Sequence, residues 1–405
     1  MNTAEPTTER HAAEPRLQDA EPPLRRRFTL DGDEALEWHL ERTCARIVSG
    51  IRGLIPARRL EAVILGGGYG RGEGGVLRGT AGDRPYNDLE FYVAIRGNRH
   101  VNEIRYRRRL DVLAEILTHL ADAEVELKIT SLAEMEARPV SMFSYDLAAG
   151  HRILWGDEPG GPPAAWGLHG CAENIPQSEA TRLLMNRCSG LLFARVQLEG
   201  ATFTPSAADF VRRNVAKAQL ACGDALLTVY GRYHWSCTER HRRLEMLSRE
   251  KHSAWIDAAL RHHAMGVEFK LHPESGAISR EALAEKHAEV TAFALRCWLW
   301  LEARRLGRTF SSARAYVDSA CDKCPGSSLF FNVLLNLRAD GFKPRARPWR
   351  HPRQRIFHSL TLLLWEPDAT SDPVQQRQIE TELNARGTSL GEWVAAYRAL
   401  WCRVQ

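Results

Sequence analysis

Between residues 64 and 95 the chain reads ILGGGYGRGEGGVLRGTAGDRPYNDLEFYVAI, a glycine-rich passage that limits what can form around it more than any other part of the sequence. Each glycine costs a helix about 1 kcal/mol relative to alanine, so an uninterrupted helix is ruled out. The flanking apolar runs, 62–65 and 89–95, are bounded by Gly66 and by the turn-forming segment 83–87. Runs this short with such boundaries read as strands. Upstream, Leu36, Leu40, Cys44, Ile47 and Ile51 recur at three and four residues and predict an amphipathic helix over 33–51. Downstream, Ile104, Leu110, Leu113, Ile116, Leu117 and Leu120 predict a second helix over 102–120, and 125–129 alternates as a third strand. The expected order is helix, strand, strand, helix, strand.

After about residue 170 the pattern becomes helical, over 178–198, 207–230, 238–251 and 280–306, with no convincing strand. Gly160, Gly161, Pro162 and Pro163 make a natural linker. The expected class is therefore α/β (α+β). Residues 1–30 read as a disordered tail, 31–160 as a small mixed-sheet domain, and 170–405 as a helical domain suited to binding a substrate. A 405-residue chain with 44% hydrophobic residues can bury such cores.

The net charge of +5 mildly favours anionic partners and is far below that of a dedicated nucleic-acid binder. Nine cysteines lie scattered, which suits reduced thiols and a cytoplasmic location. The Cys321/Cys324 pair has no second ligand pair near it for zinc. No apolar stretch approaches the roughly 18 residues of a membrane span. The segment 343–355, KPRARPWRHPRQR, reads as a basic loop. Its Lys343, Arg345, Arg347 and Arg350 would meet phosphates if the chain touches a nucleic acid, with Trp349 stacking on a base.

The chemistry concentrates at Asp88 and Glu90. Successive strand residues alternate faces, so these two carboxylates share one face while Leu89 and Phe91 take the other. Adjacent like charges repel, and a divalent cation with oxygen ligands such as Mg2+ relieves the repulsion. Gly66, Gly67 and Gly68, at the end of the preceding strand, allow close approach of a ligand and aim backbone N–H groups at phosphate oxygens.

The sequence GGYGRGEG followed by NDLEF resembles the signature of the DNA polymerase beta-like nucleotidyltransferase superfamily, especially its minimal and kanamycin-type members. In that signature a Gly-[Gly/Ser] turn precedes an Asp-x-[Asp/Glu] pair. Gly67 and Gly68 match the turn, Arg71 and Gly72 its continuation, and Asp88 and Glu90 the metal pair, within a likeness that covers roughly 33–157; it implies that Gly67, Gly68 and Arg71 bind the nucleotide. The resemblance implies a two-metal Mg2+ site. It also implies an NTP substrate and transfer of a nucleoside monophosphate to an acceptor hydroxyl with release of pyrophosphate. The acceptor class, whether small molecule, protein or RNA end, stays open. A third carboxylate is implied on a neighbouring strand, where Glu126 fits and Glu124 shares its face. By analogy with helical domains fused to such transferases, Lys217 would contact the triphosphate, with Arg182 and Asn186 as lesser candidates.

Two departures, Gly68 in place of the frequent serine and an inserted loop over 77–85, leave an alternative reading. In it the chain is a catalytically inactive nucleotide- or partner-binding module of the same fold. A dinucleotide-binding reading of Gly70, Gly72 and Gly75 fails because Asp88 and Glu90 precede their apolar run instead of ending it. A P-loop fails because no Gly-Lys-[Ser/Thr] follows the glycines.

Overall fold

The structure, a computed structural model, describes residues 27–156, 167–274, 276, 278–340, 348–366 and 371–404. The first half opens with α1 (Glu34–Leu54), whose N-terminus is capped by the Asp33 carboxylate accepting from Leu36 N at 2.8 Å. Next come β1 (Leu60–Leu65), the single turn α2 (Gly67–Arg71), β2 (Val76–Leu77), β3 (Arg84–Pro85) and β4 (Leu89–Ile95). The half closes with α3 (Arg99–Ala121), β5 (Val125–Thr130), α4 (Leu132–Ala137), α5 (Met142–Ala149) and β6 (Arg152–Gly156). The sheet order is β5-β4-β1-β6. β1 runs antiparallel to both β4 and β6, and β5 lies parallel to β4, so the sheet is mixed. The expected inserted loop is the β2–β3 hairpin.

Alternation along the strands divides the core. Leu89, Phe91 and Val93 join Val125, Leu127 and Ile129 on the face packed against α1 and α3. Tyr92 and Ala94 join Ala62, Ile64, Met135 and Leu147 on the other. All five apolar positions read into α1 are buried. In α3 the outcome differs: Leu110 and Leu117 are buried, whereas Ile104 is 90% exposed and Ile116 and Leu120 also face outward. Tyr106 and Ala121 complete the inner face of α3, so its core stripe is narrower than the apolar periodicity implies.

The expected tail through residue 30 ends earlier. Phe28 and Thr29 are buried, their N–H groups donate to the Glu37 carboxylate at 2.8 and 3.0 Å, and the Arg152 guanidinium lies over the Phe28 ring. The sequence between 16 and 30 is polar enough to hide one anchoring aromatic.

The second half is helical throughout its described residues. It comprises α6 (Gln177–Glu199), α7 (Pro205–Val229), α8 (Cys237–Lys251), α9 (Ala254–Leu271) and α10 (Arg280–Leu306). These are followed by α11 (Ala313–Asp318), α12 (Leu329–Asp340), α13 (Pro352–Trp365), α14 (Pro373–Leu383) and α15 (Leu390–Val404). Thr204, Ser236 and Ser279 cap α7, α8 and α10 through their hydroxyls. Trp298, Trp393, Tyr316 and Tyr397 are fully buried in the helical core. Among the described residues no helix is long and apolar enough to cross a membrane. The expected linker prolines lie outside the described residues.

Buried charge locks the two halves together. Arg71 of α2 reaches Asp146 Oδ2 of α5 at 3.0 Å and donates to the Trp235 carbonyl at 3.2 Å. Glu73, 3% exposed and two residues past the end of α2, caps α8. Its carboxylate accepts from Cys237 N at 2.8 Å, Thr238 N at 3.2 Å, Ser236 Oγ at 2.6 Å and Thr238 Oγ1 at 2.8 Å. Burial alone would raise the Glu73 carboxyl, but Lys270 and these donors outweigh it and hold it down at about 2.

A depressed carboxyl contributes stability that is complete above the ordinary value of 4.5 and is lost as pH falls toward 2. Glu73→Gln is therefore expected to cost about 3 kcal/mol at neutral pH and to flatten the fall in stability between pH 4.5 and 2. Urea unfolding followed across that range checks this; an acid limb as steep as the wild type's contradicts it.

Candidate functional site

A cleft of about 440 Å³ opens where the sheet's glycine-rich end meets α6, α7 and α9. Gly67, Gly68, Arg71, Asp88 and Glu90 line it from one side, and Arg182, Asn186 and Lys217 from the other. The structure thus brings together most of the residues that the sequence singled out from segments far apart. Glu126 stands just outside this lining, on β5, paired in register with Glu90.

Asp88 lies at the threshold of β4 and is exposed, whereas Glu90 is half-buried. Leu89 N donates to the Glu124 carbonyl at 2.7 Å, which joins the starts of β4 and β5. Period two then places Glu124, Glu126 and Lys128 on the same sheet face as Asp88, Glu90 and Tyr92. Lys128 Nζ sits between two of the acids, 3.0 Å from Glu90 Oε2 and 2.6 Å from Glu126 Oε2. The Tyr92 hydroxyl also donates to Glu90 Oε2 at 3.0 Å, and burial together with that carboxylate pushes the phenol well above its ordinary range.

Among the described residues no group of three or more His, Cys, Asp or Glu gathers at metal-holding distance. Lys128 supplies the positive charge that holds Glu90 and Glu126 next to each other. Asp88 and Glu90 themselves offer the hard oxygen donors that Mg2+ takes. Gly67 keeps the space beside them: its φ of +63° is left-handed, and a Cβ there would come within 3.1 Å of Glu90 Oε1. The donor set and the open approach fit a magnesium ion held by two carboxylates.

The opposite wall is cationic. Arg213, Lys217 and Asp224 lie on one face of α7 at spacings of four and seven, and Arg187 joins them from α6. Neither Arg187 nor Lys217 makes an ion pair or side-chain hydrogen bond with another described residue. Burial lowers Lys217, and the neighbouring Arg187 and Arg213 lower it further against the pull of Asp88 and Glu90. Burial likewise lowers Arg187. Two poorly compensated cations therefore face two carboxylates across one cleft.

Arg71, which the resemblance places at the nucleotide, is engaged elsewhere. It lines the cleft but is largely buried, and its guanidinium is bound to Asp146 and the Trp235 carbonyl, so it positions α2. Sequence reasoning missed Arg187, Arg213 and Lys270, the Tyr86–Phe269 pair at 6.0 Å, and Phe143, which packs on Tyr92. The spacing of Arg213 and Lys217 on one helix was a usable signal; nothing local marked the others. Lys343, Arg345 and Arg347 lie outside the described residues, and Arg350 is half-buried ahead of α13.

No protein-family model, curated protein or solved structure matches the chain.

Replacing Lys128 tests the electrostatics of the acid pair. Lys128→Met leaves Glu90 and Glu126 facing each other without a cation, so Mg2+ or Mn2+ titrated into the nucleotide-free protein is expected to bind about tenfold more tightly. The metal-free variant is expected to melt earlier than the wild type. Unchanged metal affinity would show that these carboxylates do not share a cation site.

Proposed function

We propose that the chain is a metal-dependent nucleotidyltransferase that moves a nucleoside monophosphate from an NTP to an acceptor hydroxyl and releases pyrophosphate. The observation that carries this reading is the confrontation, within one cleft, of Asp88 and Glu90 with Arg187, Arg213 and Lys217. Cations alone would suit any anion, and carboxylates alone any cation. Both together suit a polyphosphate that arrives with a divalent metal.

Asp88 and Glu90 would hold Mg2+, with Glu126 beside Glu90 as the third carboxylate of a two-metal site. When bound, the metal neutralises charge building on the phosphates and makes the attacking hydroxyl more acidic. Lys217 and Arg187 bind the β- and γ-phosphates and stabilise the departing pyrophosphate. Gly67 and Gly68 admit the triphosphate close to the backbone. Tyr86 and Phe269, packed edge to face at 6.0 Å, offer an apolar surface against which a base can stack. Glu126, or Glu124 one pleat earlier, takes the proton from the acceptor hydroxyl.

The Lys128 bridge favours a second reading, a module that binds nucleotide without turning it over, because a lysine already neutralises the acids. Turnover separates the two: nucleotide binding at saturation with no pyrophosphate release across a broad acceptor panel selects the module.

Asp88→Asn is expected to abolish transfer from alpha-labelled NTP in Mg2+ while the protein stays folded, since the amide keeps the size but not the charge that a hard cation requires. Glu126→Gln is expected to be equally inactive and Glu124→Gln active; the reverse pattern moves the third acid to Glu124. Full pyrophosphate release by Asp88→Asn would sink the transferase reading.

A further inference from the structure

Behind the cleft, on the neighbouring face of α6, lies a second pocket of about 270 Å³. Arg182 lines both. The other cationic contributors are Arg305 of α10, Lys323 from the segment after α11, and Arg353 in the first turn of α13. Among the described residues no acidic side chain lines this pocket.

The charges around it do not balance. Arg305 is matched by Glu302, at 2.8 Å through Nε and 2.6 Å through Nη2, and Arg182 by Glu179 at 3.1 Å. Arg353 is not matched among the described residues. Lys323 is fully buried and satisfied: its ammonium donates to the Ser319 and Cys321 carbonyls, both at 3.2 Å, and to Cys321 Sγ at 3.0 Å, and lies 4.7 Å from the centre of the Tyr316 ring. The Arg353 guanidinium makes no hydrogen bond or ion pair with another described residue. The helix end itself is already occupied, because His351 Nδ1 accepts from Arg353 N at 3.1 Å and the His351 carbonyl accepts from Gln354 N at 2.9 Å. Side chains, not a bare helix terminus, therefore make the site.

The half-buried Arg353 guanidinium, left without a partner among the described residues beside Arg182 and Arg305, presents the planar donor fork that a phosphate accepts from. Along α6, Ser178 and Thr181 line this pocket while Asn186 and Arg187 line the cleft. Five to nine residues of helix, about 8–14 Å, separate them. Arg182 lines both spaces, so a phosphate ester long enough to span that distance would present a hydroxyl in the cleft.

We propose that this pocket is an anion site distinct from the nucleotide cleft, and that it holds a phosphate ester of the acceptor. Assigning the phosphate to the acceptor rests on the transferase reading; the anion site does not. It also gives a use to the start of α13, where the basic segment read from the sequence ends.

The test is calorimetric titration of the full chain in EDTA, without NTP. The probes are inorganic phosphate, ribose 5-phosphate, and a 5′-phosphorylated hexanucleotide beside its unphosphorylated twin. Wild type is expected to bind the phosphorylated probes, Arg353→Gln to bind them about tenfold more weakly or worse, and Arg353→Lys to recover part of the loss. Melting temperature and NTP affinity in Mg2+ are expected to stay unchanged in both variants. Tighter binding of the phosphorylated hexanucleotide than of ribose 5-phosphate identifies a polynucleotide end as the source; the reverse identifies a small phosphate ester. Absence of binding at millimolar probe, binding indifferent to phosphorylation or to Arg353→Gln, or an equal fall in NTP affinity would each overturn the proposal. A wild type that binds phosphate but releases no pyrophosphate keeps the anion site and removes the transferase reading instead.

Discussion

The buried charges between the two halves are the constraint on which everything else rests. Arg71 with Asp146, Arg240 with Asp224 at 2.7 Å, and the Tyr233 hydroxyl between Arg240 and Asp146 at 3.2 Å from each form one chain of interactions from α2 through α5 to α7 and α8. Burial would lower Arg71, but the Asp146 carboxylate and Tyr233 outweigh it and hold the guanidinium above its ordinary value. For Asp224, Arg240 and His263 likewise overcome burial and keep the carboxyl below its ordinary value. Removing one member of such a pair leaves an uncompensated buried charge, at a cost of about 3–5 kcal/mol. The halves therefore hold one relative placement.

That placement makes the cleft. The sheet supplies carboxylates and a close backbone; the helices supply cations and aromatic surface. Neither half carries the constellation alone. The glycine-rich passage serves both tasks, because Gly67 opens space beside Glu90 while Glu73, six residues on, fastens the same passage to the start of α8. The fully buried Tyr69 steadies the passage from within, donating to the Gly75 carbonyl at 2.9 Å and accepting from Tyr86 N at 3.0 Å.

Much of this was legible in the sequence where the signal is local. The strands around 62–65 and 89–95 follow from short apolar runs between glycines and turn residues. Asp88 and Glu90 share a face because strands alternate, and Lys217 belongs to the cleft because its helix face was readable. β6 was not assigned as a strand, since Arg152–Gly156 is half-buried to exposed without alternation. The roles of Arg71, Glu73 and Lys128 were illegible for a different reason. Their partners lie 75, 163 and 38 residues away, and no periodicity reports a contact made across such separations. Apolar spacing also overstated the core of α3, because it records which residues are greasy and not which face finds a neighbour.

The central claim is that acids and cations face each other to hold a metal-bound polyphosphate. Calorimetric binding of a non-hydrolysable NTP analogue, with Mg2+ and with EDTA, to wild type and Lys217→Met tests it most directly. Mg2+ is expected to tighten wild-type binding at least about tenfold, and Lys217→Met to lose about tenfold even in Mg2+. Equal affinity with and without Mg2+, or full affinity in Lys217→Met, would contradict it.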